Sequence, residues 1–352
     1  MIFASDNWAG AHPAISSALA DAAGGYDPAY GTGELDRKVA ARFNEIFERE
    51  VAVFFVATGT AANSLALAST TKPGAISFCH REAHVIEDEC GAPEYLSGGA
   101  RLRPVDGRLS KIDPGLLADE IARLQPDNVH GGQASAITIT QATEVGTVYS
   151  LQEIDAISSI ARRHAVSLHM DGARFANALV SLGVTPAEMT WRRGVDMLSF
   201  GGTKNGCWCA EAVVLFDPAA AKDFAFYRKR AAQLFSKSRF VAAQFDAYLR
   251  DDVWLDTARH ANAMAQNLAA AFAASAEARL AWTPQANEVF AIMPAATIGR
   301  LKAAGAVFYD WRRPQSFDDI LAPDETLCRF VTSFATKPDD VQRFSALLSQ
   351  SN

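Results

Sequence analysis

Lys204 stands in an unusual setting for a lysine. In the stretch "DMLSFGGTKNGCWCAEAVVLF" it follows Gly201, Gly202 and Thr203 and precedes Asn205 and Gly206, with apolar runs on both sides. A surface lysine needs no such frame. An amine that must bond covalently to a ligand does, because backbone without side chains lets the ligand approach. Asp171 closes the apolar run "SLHMD", and Arg174 follows shortly after. A carboxylate there either caps a helix or pairs with a protonated ring nitrogen. Gly59 and Thr60 follow the apolar run "VAVFFVA". Free N–H groups at a helix start bind phosphate, and a Thr hydroxyl adds a donor, although any strand-to-helix turn can carry Gly-Thr. His84 follows "AISFCH" by a short turn; a lone histidine is either structural or placed for ring stacking or proton transfer. A phosphate turn, a histidine, a strand-end aspartate and a Gly-framed lysine, in that order, make up the requirement set of pyridoxal phosphate.

Such residues meet only if strand ends are brought together. Strands are expected at 51–57, 75–80, 134–140, in "VSLHMDGAR", at 195–200 and at 210–216. Helical spacing fills "GTAANSLALAS" and 114–124, and Ser150 with Glu153 forms a capping box. Strand–helix–strand order implies an α/β fold with a mainly parallel, helix-covered sheet, whose ligands bind beyond the carboxyl ends of its strands. From about residue 219 the pattern turns helical, with a long amphipathic segment in "DDVWLDTARHANAMAQNLAAAFAAS". Short strands follow at 288–293, 306–311 and 328–334. A large domain over 1–247 and a smaller α+β domain over 248–352 are expected.

The 352 residues are 49% hydrophobic and 21% charged, with a net charge of −7. An acidic balance argues against nucleic acid or an anionic membrane as the main partner. No run is long and apolar enough to span a bilayer, and "MIFASDNWAG" does not read as a signal peptide. The five sparse cysteines suggest no disulfide framework, and Cys207 and Cys209 lack structural zinc spacing. A cytoplasmic enzyme without a metal site is the expectation.

The segments "FASDN", "AYGTGELD", "ATGTAANSLAL", "EAHVIEDECGAPE", "HMDGARFANAL", "GGTKNG" and "CRFVTSF" resemble the low-specificity L-threonine aldolases, pyridoxal-phosphate enzymes of the aspartate-aminotransferase-like fold type I. The resemblance covers nearly the whole chain. It implies a seven-stranded, mainly parallel sheet and a smaller C-terminal α+β domain. It implies that Lys204 is the Schiff-base lysine and Asp171 the partner of the pyridine nitrogen. Gly59 and Thr60, with the Thr203 hydroxyl, bind the phosphate. His84 stacks on the ring, and Arg174 lies near the phenolic oxygen. On the substrate side, beside Arg174, Ser5 and Arg329 hold the carboxylate, an ion for which an Arg fork is well shaped. The resemblance further implies that Lys229 reaches the cofactor phosphate of a neighbouring subunit and that Tyr30 enters a neighbour's site, in a homo-oligomer that is a dimer or a tetramer.

The chain departs from the pattern at Glu144, where many relatives have a second active-site histidine. The activity implied is retro-aldol cleavage of L-threonine, L-allo-threonine and related β-hydroxy-α-amino acids, L-phenylserine among them, to glycine and an aldehyde. Lys204, Asp171, His84 and Glu144 form the catalytic set, the last two as candidates for the base. β-Elimination or transamination of a small amino acid on the same fold is the alternative, since both share the Lys and the Asp.

Overall fold

Seven strands build the main sheet of the computed structural model, which describes residues 1–125, 127–317, 319 and 321–349. They are β1 (Ala52–Val56), β2 (Ile76–His80), β3 (Arg101–Val105), β4 (Ala134–Thr140), β5 (Ser167–Gly172), β6 (Met197–Gly201) and β7 (Glu211–Leu215). Their order is β1-β7-β6-β5-β4-β2-β3. The pairs from β6 through β5, β4 and β2 to β3 are parallel, whereas β7 runs antiparallel to both β1 and β6. Every residue of β2, β6 and β7 is buried, as expected where helices cover both faces. The sheet is the seven-stranded, mainly parallel one expected.

Six of the strands fall within about two residues of their expected positions. β3 was not expected. Its sequence, Arg-Leu-Arg-Pro-Val, has no apolar run, and its alternation is short and ends on a proline. It lies at the sheet edge and pairs only with β2, where the N–H that Pro104 lacks is not needed. The helix Gly59–Thr70 packs on the sheet, and its run Ala61–Ala68 is buried all round. Its small Ala and Ser side chains let it lie close. Ser150 and Glu153 cap the helix Leu151–Arg163 in the expected box.

A second, antiparallel sheet holds β8 (Arg279–Leu280), β9 (Glu288–Pro294), β10 (Tyr309–Asp310) and β11 (Glu325–Val331), in the order β10-β11-β9-β8. The strand expected over 306–311 shrinks to two residues because the chain start takes its place. Phe3 donates its N–H to Val307 O at 2.8 Å, and Val331 donates to Phe3 O at 2.8 Å. The Phe3 side chain is buried with Phe330 and Phe344. Residue 247 lies inside the helix Arg239–Leu249. The next long helix, Val253–Ala273, gives Trp254 and Ala258 to the main core and Met264 to Phe272 to the second. No helix among the described residues is long and apolar enough to cross a membrane.

Aromatic packing fixes the end of β6. Phe200 meets Phe43 edge-on at 5.2 Å between ring centroids, with Phe175 at 5.5 Å and Trp254 at 5.8 Å. Truncating one such buried ring costs about 3–5 kcal/mol, so the backbone that leads to Lys204 is held firmly.

Candidate active site

A cavity of about 260 Å³ opens beyond the carboxyl ends of β4, β5 and β6, and Gly59, Thr60, His84, Glu144, Asp171, Arg174, Thr203 and Lys204 all line it. Lys204 lies in the single turn Thr203–Asn205 just after β6. The turn is pinned on both sides. The Asn205 amide donates to Tyr248 Oη at 2.7 Å and to Trp254 O at 2.8 Å. Thr203 donates its N–H to Glu211 Oε1 at 3.3 Å, and its hydroxyl oxygen accepts from Ala210 N–H at 3.2 Å. The glycines before the lysine answer to the protein's own backbone rather than to a ligand. A Cβ on Gly201 would stand 2.6 Å from Ala173 O, and one on Gly202 would stand 2.7 Å from Ala210 O.

Asp171 is the second-to-last residue of β5, the strand beside β6. Its Oδ1 accepts Ala173 N–H at 3.0 Å and its Oδ2 accepts from the Asn63 amide at 2.8 Å. The next helix begins only at Phe175, with Arg174 at its cap position and no side-chain cap bond, so Asp171 is not a helix cap. At the start of the helix Gly59–Thr70, Thr58 is the cap and its hydroxyl accepts Ala61 N–H at 3.1 Å. Among the described residues the N–H groups of Gly59 and Thr60 have no acceptor. A Cβ on Gly59 would meet nothing within 4 Å. This helix start therefore presents two free donors to open space, which suits a phosphate.

His84 bonds through Nδ1 to Glu89 Oε1 at 2.9 Å, and its backbone N–H donates to Glu144 Oε1 at 3.3 Å. The Glu89 bond outweighs burial and raises the His84 pKa. Burial raises the Glu144 carboxyl, against the pull of His84 and Lys204. Glu144 is only half-buried by exposed area, so it keeps some contact with solvent. Burial pushes Glu211 up to about 7, while its Thr203 bonds and the Lys204 charge act the other way.

Arg174 is committed to other protein groups. Its Nε and Nη2 donate to the two oxygens of Asp6 at 2.7 and 3.1 Å, and its Nη1 lies 3.3 Å from Glu288 Oε2. Burial alone would raise the Asp6 carboxyl. The charges of Arg174 and Lys204 and hydrogen bonds from Arg174 and Asn287 together hold it below the ordinary range. Burial raises Glu288 in spite of Arg174 and Arg329. Arg329, on β11, does not line the cavity. It reaches Arg174 through Glu288, with Nη1 at 3.8 Å from Glu288 Oε1, and its guanidinium lies 4.0 Å over the Trp311 ring. Ser5 sits one layer back, its oxygen accepting Asn7 N–H at 3.1 Å, while Asn7 lines the cavity. Lys229 and Tyr30 do not line this cavity. They lie together on an exposed face, the Lys229 amine 5.6 Å over the Tyr30 ring.

Sequence reasoning missed Asn63, Glu89, Glu211, Asp6 and Glu288. Only Asn63 carried a usable signal: it follows Gly59 by one helical turn, so the two share a face. The other four are acids whose burial arises only in the folded chain.

The chain matches the model of the beta-eliminating lyase family over residues 3–296. It is 43% identical over 307 residues to a low-specificity L-threonine aldolase of Pseudomonas aeruginosa, covering 87% of this chain and 88% of the relative. It is 42% identical over the same length and shares to the enzyme of that name from Pseudomonas sp. strain NCIMB 10558. A solved structure of a Leishmania major threonine aldolase superposes with a TM-score of 0.91 at 26% identity, covering 99% of this chain and 98% of that one.

Proposed function

The chain belongs to the beta-eliminating lyase family, beside the low-specificity L-threonine aldolases, and from that premise we propose that it cleaves L-threonine, L-allo-threonine and related β-hydroxy-α-amino acids to glycine and an aldehyde. It is a carbon–carbon lyase of fold type I that uses pyridoxal phosphate. The observation that carries the reading is one arrangement. Lys204 and Asp171, at adjacent strand ends, share a cavity with the open helix start at Gly59 and Thr60. An amine, a carboxylate and free N–H donors around one space suit the aldehyde, ring nitrogen and phosphate of that cofactor.

Pyridoxal phosphate, when bound, supplies an electron sink for the pair of the breaking bond. Lys204 would anchor it covalently, and Asp171 would keep a proton on its ring nitrogen. Gly59, Thr60 and Thr203 would hold the phosphate, His84 would pack on the ring, and Arg174 would lie by the phenolic oxygen. Arg329 and Ser5 would fix the substrate carboxylate and so choose which bond at Cα breaks. A base must take the β-hydroxyl proton as the Cα–Cβ bond breaks, and His84 and Glu144, which both line the cavity, are the candidates.

We also assign the enzyme to the cytoplasm and to a homo-oligomer in which Lys229 and Tyr30 serve a neighbour's site. The exposed Tyr26, Tyr30 and Phe226 support that surface role. Product analysis tests the reaction. L-Threonine should give glycine and acetaldehyde in equal amounts without an added keto acid. Ammonia and 2-oxobutyrate would mean the elimination that the family description names. A strict need for a keto acid would mean transamination.

A further inference from the structure

We propose that Glu89 is a positioning residue for the cleavage: it holds the His84 ring by Nδ1, is itself tied to Asp171 through Asn63, and so leaves His84 Nε2 as the atom that exchanges a proton in the cavity. This rests on the reading above, in which His84 faces the bound reactants.

Glu89 is 3% exposed. Its Oε1 lies 2.9 Å from His84 Nδ1 and 2.8 Å from the Asn63 amide nitrogen. The same nitrogen lies 2.8 Å from Asp171 Oδ2. Both hydrogens of the amide are thus given to carboxylates. A reversed amide would set its oxygen against two acids, so its orientation is determined by charge. Glu89 Oε2 has no partner among the described residues, and none of the ion pairs there joins Glu89 to a lysine or arginine; His84 is its one cationic partner. A buried carboxylate in that position is poorly explained as a structural ion pair. It is well explained as the orienting acid of a histidine, whose acceptor lone pair then lies on the other ring nitrogen.

The groups that act on His84 are Glu89 from the same loop, Glu144 after β4, Asp171 on β5 and Lys204 after β6. In the cleavage the β-hydroxyl proton passes to Nε2, and the pair of the Cα–Cβ bond stays with the glycine fragment. The carbonyl of the aldehyde forms, and one proton returns at Cα. Nδ1–H remains on Glu89 throughout.

The test follows the protonation of His84 directly. Diethyl pyrocarbonate modifies only the neutral ring, and its rate at the His84 peptide can be read by mass spectrometry against pH in the full chain freed of cofactor. Glu89→Gln should lower the midpoint by about one pH unit or more, and the acid limb of the kcat profile of the loaded enzyme should move down with it. An unchanged midpoint overturns the proposal. If Glu89→Gln does not fold, Glu89→Asp keeps the charge but withdraws it by one methylene. A smaller drop is then expected, and no drop overturns the proposal. A shifted midpoint in a protein that does not cleave threonine would refute the aldolase reading alone; cleavage with an unshifted midpoint would refute the Glu89 role alone.

Discussion

Two walls of the cavity hold charge by different means. The wall assigned to the cofactor is built from strand ends and one helix start. Its groups are fixed mainly by bonds within a few residues, Asp171 to Ala173 and Thr203 to Ala210, with Asn205 to Tyr248 reaching 43 residues along the chain. The wall assigned to the substrate is Arg174, which lines the cavity and is backed by an ionic lattice of Asp6, Glu288 and Arg329, residues that come from the chain start and the second sheet. Arg174 and Asp6 are 168 residues apart in sequence, and Arg329 donates to a carbonyl 325 residues away. The first wall should tolerate loss of a functional group without unfolding. The second should tolerate it less, most of all at its centre in Arg174, which neutralises both Asp6 and Glu288.

Removing the amine gives the largest effect. Lys204→Ala should abolish turnover, and borohydride should trap the cofactor on the Lys204 peptide of the wild type and on no other. The melting temperature should hardly change. Arg174→Ala should show the opposite pattern. It leaves Asp6 and Glu288 buried without their shared cation, a loss of about 3–5 kcal/mol that denaturant unfolding would register. An Arg174→Ala protein as stable as wild type would erase the contrast between the walls.

Asp171→Asn keeps an acceptor for Ala173 but loses the charge. Turnover should fall roughly 10²–10³-fold, in kcat more than in KM, with stability retained. Arg329→Ala should act on KM. Because Arg329 is partly exposed and Arg174 still faces Glu288, the expected cost is at the low end for a broken charge pair, about 2 kcal/mol. Cofactor affinity should be spared, as titration would check. Equal losses of cofactor and substrate affinity would move Arg329 from binding to scaffolding.

Glu211 gives the most gradual effect. Burial raises its carboxyl to about 7 from an ordinary 4.5, so the folded chain favours the protonated form. Its contribution is complete below the unfolded value, declines by about 1.4 kcal/mol per pH unit between the two values, and is lost above the higher one. Glu211→Gln should remove that slope from the pH–stability curve of the cofactor-free protein. Glu89, Glu144 and Glu288 are raised in the same direction, so a residual slope should remain. An unaltered slope would place Glu211 among the ordinary acids.

The same contrast decides what could be read before folding. Lys204, Asp171, Gly59 and Thr60 were legible because each is punctuated locally by glycine, by a strand end or by a helix start. Six strands of the main sheet were legible from their apolar runs, which burial on both faces requires of β2, β6 and β7. β3 was hidden because edge strands need not be apolar. Ser5, Arg329 and Arg174 came from the family resemblance. Their partners Asp6 and Glu288 were out of reach, since an acid looks the same in sequence whether it ends up in solvent or under a guanidinium. Glu89 was hidden for the same reason, although it lies only five residues after His84.

The close approach at Gly201 matters to anyone who would reshape this pocket for other aldehydes. Ala173, whose carbonyl crowds that glycine, sits between Asp171 and Arg174, one from each wall. A single methyl added at Gly201 would press on backbone, which no rotamer change relieves, and would displace both neighbours together. A library randomised at this position should yield inactive protein almost throughout. Variation at Glu144, which is half-exposed, should leave the register between the two walls untouched.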